Sequence, residues 1–136
     1  MTKEMAINYT DIEKSKKLSE LGLSSDTADM CLVKVYDKNG SVTDYRPDLI
    51  PFRLYSGIGI PCWSVGALLD LMPKHIEETK GHKVELIVGK PKKVWSAVYF
   101  DWDGFEQGHE ETADTLMDVC YNMTIWLLEN GYINHG

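Results

Sequence analysis

The last third of this sequence lacks positive charge. Residues 94–136 contain eight Asp and Glu side chains and no Lys or Arg, whereas the whole chain has 14 basic and 21 acidic side chains and a net charge of −7. Nucleic-acid-binding domains usually present a net basic face. The distribution therefore argues against a general nucleic-acid binder and favours a basic protein partner.

The sequence also lacks long apolar runs. Its densest run, residues 125–128, is far shorter than the roughly 20 residues that a bilayer span needs. The first residues do not combine a basic segment with an apolar run, so neither a membrane span nor a secretory signal is predicted. Three widely spaced cysteines make a poor disulfide framework: Cys31, Cys62 and Cys120. We therefore expect buried, reduced thiols and a cytoplasmic location.

Length and patterning predict one folded domain over residues 1–136. A chain of 136 residues with 43% apolar side chains can bury a core of its own. Three segments have the apolar spacing of helices, at about residues 11–21, 64–72 and 111–130. In the first, Thr10 and Glu13 have the spacing of a capping box. Glycines suited to the left-handed conformation follow the first and last helices, Gly22 and Gly131.

Four further segments favour strands, at residues 30–36, 41–45, 83–88 and 94–100. The pair Asn39-Gly40 predicts a tight turn between the first two, and Pro47 is expected to leave the sheet because proline cannot donate to a ladder. Residues 48–62 are compatible with a short strand near residues 52–55 or with an irregular crossing. The predicted fold is α+β, a two-layer sandwich with a mainly antiparallel sheet of about four strands, an N-terminal helix, a short middle helix and a long C-terminal helix.

The segment at residues 101–111 is the best candidate for a functional site. It joins a predicted strand to the predicted last helix, a place where sites often lie. Trp102 and Phe105 are expected to be exposed aromatics, which are typical of binding surfaces. A simpler interpretation places the acids in the first helical turn, where they complement the helix dipole. The predicted binding residues are Trp102, Asp103, Phe105, Glu106, His109, Glu110 and Glu111.

The same segment offers an alternative function as a small metal-dependent hydrolase or nuclease. Its carboxylates are of the kind that bind Ca²⁺ or Mg²⁺, and with His109 they could form a site: Asp101, Asp103, Glu106 and Glu111. The spacing departs from known motifs, however. Gly104 would be fourth in an EF-hand loop that needs glycine sixth, and Ala113 stands where a zinc helix needs its second His. No metal ligand, cofactor or catalytic residue is therefore assigned.

A catalytic Cys–His pair is not favoured either. No family signature surrounds any of the thiols. Cys120 lies on the apolar stripe of the last predicted helix, where burial makes a thiol inert. Cys62 precedes a predicted helix, which can lower a thiol pKa, but packing beside Trp63 is the favoured interpretation.

Two stretches, residues 60–73 and residues 122–133, resemble segments of small uncharacterised proteins of gut anaerobic bacteria and of their phages and mobile elements. The resemblance implies a cytoplasmic location and an accessory role in a mobile element. It transfers no catalytic residue and no cofactor.

These observations predict a non-enzymatic accessory or protein-interaction domain. Residues 101–118 would present an acidic, aromatic-bearing face to a basic protein partner, and a homodimer is one form that such an interaction could take. Besides the metal-dependent enzyme, an acidic mimic of nucleic acid that blocks a DNA-binding protein is the remaining alternative.

Overall fold

The computed structural model describes residues 8–49, 59–79 and 81–133 of the chain. Within these residues lie three α-helices, α1 (Ile12–Glu20), α2 (Val65–Leu71) and α3 (Leu116–Glu129). The strands there are β1 (Met30–Tyr36), β2 (Val42–Asp48), β3 (Gly59–Cys62), β4 (His75–Thr79), β5 (His82–Gly89), β6 (Trp95–Asp101) and β7 (Glu106–Ala113). The predicted α+β class, with helices towards both ends of the chain, is confirmed.

The described strands form two antiparallel sheets. One has three strands in the order β2-β1-β3, and the other has four in the order β4-β5-β6-β7. The two predicted hairpins thus lie in separate sheets, whereas the sequence pattern placed them in one sheet of about four strands. The strands β3, β4 and β7 complete these sheets. The strand considered near residues 52–55 falls outside the described residues.

The first hairpin confirms the predicted Asn-Gly turn. Gly40 has a φ of +81°, and the Asp37 carboxylate accepts the Asn39 and Ser41 N–H groups at 2.8 and 3.0 Å. The prediction that Pro47 leaves the sheet is wrong, since Pro47 remains in β2 opposite Leu32. Strand β2 is at the edge of its sheet, and an edge strand tolerates a residue without an N–H.

Helix α1 is capped differently from the prediction. Asp11 is its N-cap and accepts the Lys14 N–H at 2.8 Å. Thr10 is instead fully buried, and its Oγ1 accepts the Trp63 N–H at 3.0 Å. The proposed capping box is therefore wrong, because a tertiary hydrogen bond takes the Thr10 side chain. The predicted ending is confirmed, with Gly22 at a φ of +93°.

Helix α3 begins five residues later than the prediction of residue 111, at Leu116. Its N-cap is Thr115, whose Oγ1 accepts the Asp118 N–H at 3.1 Å. Glu110 and Glu111 lie in β7, opposite Val98 and Ala97. The helix-dipole interpretation of these two acids is therefore wrong.

The end of α3 agrees with the sequence. Gly131 has a φ of +76°, and the Tyr132 N–H donates to the Leu127 carbonyl at 2.9 Å. This 6→1 hydrogen bond is the ending that a left-handed glycine allows.

The main core lies between α3, α2 and the four-stranded sheet. Its fully buried members include Trp63, Leu68, Tyr99, Val119, Cys120, Met123 and Leu127. A smaller cluster of Met30, Leu32 and Cys62 lies on the three-stranded sheet itself, in β1 and β3. None of the described helices has the length and apolar character that crossing a membrane would require.

Candidate functional site

The turn between β6 and β7 carries the most exposed aromatic side chains of the candidate segment. Asp101 pairs with Glu106 across the hairpin, and we name residues 102–106 the acidic hairpin tip. Trp102 is 54% exposed and Phe105 is 77% exposed. Trp102 also contacts Phe100 edge-on, with ring centroids 4.8 Å apart. The prediction that both aromatics of the tip are exposed is confirmed.

Asp101, at the end of β6, fixes the conformation of the tip through its side chain. Only 4% of the residue is exposed, and its Oδ1 accepts the Asp103 N–H at 2.9 Å. Its Oδ2 lies 2.6 Å from Nε2 of His82, at the start of β5. The Gly104 N–H lowers the pKa of Asp101 most, and the Asp103 N–H and His82 add to this against the opposing effect of desolvation. A carboxylate that accepts backbone N–H groups in this way fixes the local turn.

The tip has little conformational freedom around Asp101. A Cβ atom at Gly104 would lie 2.6 Å from the Asp101 Oδ2, so only glycine fits there without displacing the carboxylate. Phe105 follows at a φ of 51°, a left-handed conformation that is uncommon for a bulky side chain. Such a residue costs about 1–3 kcal/mol and tends to occur at functional positions. The fold therefore holds the Phe105 ring out in solvent at an energetic cost.

Three of the predicted binding residues on β7, His109, Glu110 and Glu111, already have side-chain partners within the fold. Glu110 accepts the Ser96 hydroxyl at 2.8 Å and the Gln107 side-chain amide at 3.0 Å. The carboxylate of Glu111 pairs with Nε2 of His109. The His109 ring also stacks on Trp126, with centroids 4.0 Å apart and planes 4° apart. Glu110 and Glu111 are therefore engaged along β7 and are not part of the acidic hairpin tip.

A side chain from the opposite edge of the sheet reaches β7. Oε1 of Glu78, which lies in β4, accepts the His109 N–H at 2.9 Å. Gly108 makes room for this contact, because a Cβ atom there would lie 2.4 Å from Oε1 of Glu78 and 2.6 Å from the Tyr99 carbonyl oxygen. β4 and β7 are the two outer strands of the sheet. The sheet must therefore curl strongly enough for one edge to contact the other.

His109 and Glu111 pair with each other, but the acids and histidine that the metal-enzyme alternative requires do not converge on one centre. Asp101 is directed to His82, and His109 is directed to Glu111. Among residues 8–49, 59–79 and 81–133, no three His, Cys, Asp or Glu side chains are grouped so that they could hold a metal ion. His82 was missed in the sequence because its role depends on the pairing of β5 with β6.

The three thiols are buried and unpaired, as the sequence predicts. Desolvation is the main cause that raises the pKa of Cys62 to about 12 and of Cys120 to about 11. It also raises the pKa of Cys31. Because the thiolate is the nucleophile, these side chains are unsuited to covalent catalysis.

No protein-family model, no curated protein and no solved structure matches this chain. The resemblance to proteins of gut anaerobes and their mobile elements stays a prediction.

Proposed function

We propose that this chain is a non-enzymatic interaction domain that binds a basic protein through the acidic hairpin tip. Trp102 and Phe105 would be the apolar anchors of the contact, and Asp103 and Glu106 its charged rim. The observation that carries the proposal is the exposure of both aromatic rings beside acids, with Phe105 held in a left-handed conformation. Aromatic anchors surrounded by polar residues contribute much of the binding energy of protein interfaces.

The charge distribution supports a basic rather than an acidic partner. No Lys or Arg follows Lys93, and eight acids do. An electrostatic field of one sign speeds the encounter with a partner of the opposite charge, and physiological salt limits the range of this field to about 8–10 Å. Because Glu110 and Glu111 are already paired within the fold, we assign the direct contact to Asp103 and Glu106.

We further propose a reducing compartment, the cytoplasm, and an accessory role of the kind that the resemblance implies. Three free, buried cysteines support the first part, since such thiols are typical of proteins in reducing surroundings. A second copy of the chain is one candidate partner. Its own basic segments, residues 14–17 and 90–93, carry charge of the required sign.

Affinity capture with three forms of the chain tests the proposal. The forms are the wild type, Trp102→Ala/Phe105→Ala and the control Tyr36→Ala, which removes an aromatic that is 58% exposed on the other hairpin. We expect the double variant to lose at least about tenfold in bound partner, the scale of two interface anchors. The control should retain the wild-type amount.

Neutralising the acids of the tip tests the role of charge in partner binding. Asp103→Asn/Glu106→Gln should weaken capture about two- to fivefold at low salt and leave little salt dependence. Glu20→Gln/Asp26→Asn, which neutralises two exposed acids elsewhere, should change neither. A bound set that survives loss of both tip aromatics, or that high salt does not alter, would refute the proposal. Sedimentation of the purified chain decides whether a second copy is the partner.

A further inference from the structure

A second site candidate is a cleft on the three-stranded sheet, between its strands and the first turn of α1. The cleft has a volume of about 290 Å³. Its apolar surface comes from four side chains: Tyr9, Ile12, Leu32 and Tyr45. Leu32 belongs to the smaller core cluster and the other three pack against it, so packing holds all four in place. No residue of the acidic hairpin tip lines this cleft.

The remaining lining residues in the described part of the chain are all acidic. They are Asp11, Glu13 and Asp44, and none of the described Lys, Arg or His side chains joins them. Asp11 is occupied, because it caps α1 and lies 3.5 Å from the Lys14 ammonium. Asp44 uses one oxygen to accept the Tyr45 N–H at 2.8 Å. Within the described part of the chain, Glu13 and the second oxygen of Asp44 have no basic partner.

Tyrosine rings and carboxylates together favour one class of ligand. The face of a tyrosine ring attracts a cation within about 6 Å, and two carboxylates at the rim repel anions. In the described residues, neither Tyr9 nor Tyr45 stacks on another ring or lies beneath an ammonium group. A volume of about 290 Å³ is at the small end of ligand pockets, which begin near 300 Å³. We propose that this cleft binds a small organic ammonium ion, with Tyr45, Glu13 and Asp44 as its recognition residues.

Titration of the full ¹⁵N-labelled chain with choline tests the proposal, and 3,3-dimethyl-1-butanol is its neutral isostere of nearly equal shape. We expect choline to give saturable amide shifts at Tyr9, Ile12 and Tyr45. The neutral alcohol should bind at least about fivefold more weakly, because it lacks the attraction to the rings and carboxylates. Equal affinity for both probes, or choline shifts only outside the cleft, would overturn the proposal.

Two variants and a control separate the ring from general apolar contact. Tyr45→Leu keeps an apolar side chain but removes the ring, and we expect choline affinity to fall about fivefold. Glu13→Gln changes an exposed side chain with little risk to folding, and should weaken binding about two- to threefold. Tyr36→Leu lies on the same hairpin outside the cleft and should leave the affinity unchanged. Wild-type affinity in both Tyr45→Leu and Glu13→Gln would refute the assignment.

Discussion

Replacing Gly108 by alanine should destabilise the chain strongly, because a carboxylate and a backbone carbonyl occupy the space that a methyl group would need. The added Cβ would lie 2.4 Å from Oε1 of Glu78 and 2.6 Å from the Tyr99 carbonyl oxygen. The Glu78 side chain can rotate away, although it then loses its hydrogen bond to the His109 N–H. The Tyr99 carbonyl belongs to the backbone of the inner strand β6, so relief of this clash requires β7 to shift.

The magnitude follows from these two effects. Loss of one part-buried hydrogen bond costs about 1 kcal/mol, and overpacking against a fixed group costs about 1–3 kcal/mol. We therefore expect the free energy of unfolding to fall by about 2–4 kcal/mol. With about 2.1 cal/mol/K of unfolding entropy per residue, a chain of this length would lose roughly 7–14 °C in Tm.

Thermal unfolding of Gly108→Ala and of three comparison variants measures this effect. Gly89→Ala adds the same methyl group in β5, where no atom lies within 4 Å of the new Cβ, and should shift Tm by less than about 2 °C. Glu78→Ala should lower the free energy of unfolding only by the loss of the hydrogen bond to the His109 N–H, about 1 kcal/mol. Glu78→Ala/Gly108→Ala should cost less than the sum of the single changes, because the two side chains share one space. A Gly108→Ala Tm within about 2 °C of the wild type would refute the contact between the sheet edges.

Three further predictions concern the core, the tip and the thiols. Leu127→Ala should lower the free energy of unfolding by about 2–5 kcal/mol in urea titrations, because this side chain is fully buried. The control Glu129→Ala, at the exposed end of the same helix, should change it by less than about 0.5 kcal/mol. The pKa of Asp101 is lowered in the folded state, so its contribution to stability should be present above about pH 4, the unfolded value, and be lost as pH falls through the folded pKa. Urea midpoints of Asp101→Asn and the wild type should therefore converge as pH falls below about 4, and a constant gap would contradict the assignment. The three thiols should resist a disulfide reagent at pH 8 in the folded chain and react fully in urea, since burial keeps their pKa high; rapid labelling of the folded chain would contradict their burial.

The features that the sequence predicted correctly are those with local signals. The Asn39-Gly40 turn, the left-handed Gly22 and Gly131 and the apolar stripe of α3 each depend on residues within a few positions of one another. The exposed Trp102 and Phe105 were also predictable, because both stand in a run of acids and glycine. These signals act on the backbone directly and need no tertiary partner.

The features that the sequence concealed depend on distant contacts. Strand β7 is almost entirely polar, so its residues give no apolar alternation, and only pairing with β6 makes them a strand. Thr10 has the spacing of a helix cap, but its hydroxyl oxygen accepts the N–H of Trp63, which is far along the chain. The partner of Asp101 is likewise set by the register of β5 against β6, which places His82 beside it.

The bond between Glu78 and the His109 N–H also limits how a partner can be recognised. The outer strand of a sheet normally presents unpaired N–H and C=O groups to which another chain can add a strand, in binding or in aggregation. A strand arriving at β7 would have to displace Glu78, and one arriving at β4 would meet the Tyr132 hydroxyl on the Glu77 carbonyl at 3.3 Å. Strand addition at this sheet is thus disfavoured, and a partner would have to contact side chains rather than pair with the strand backbone.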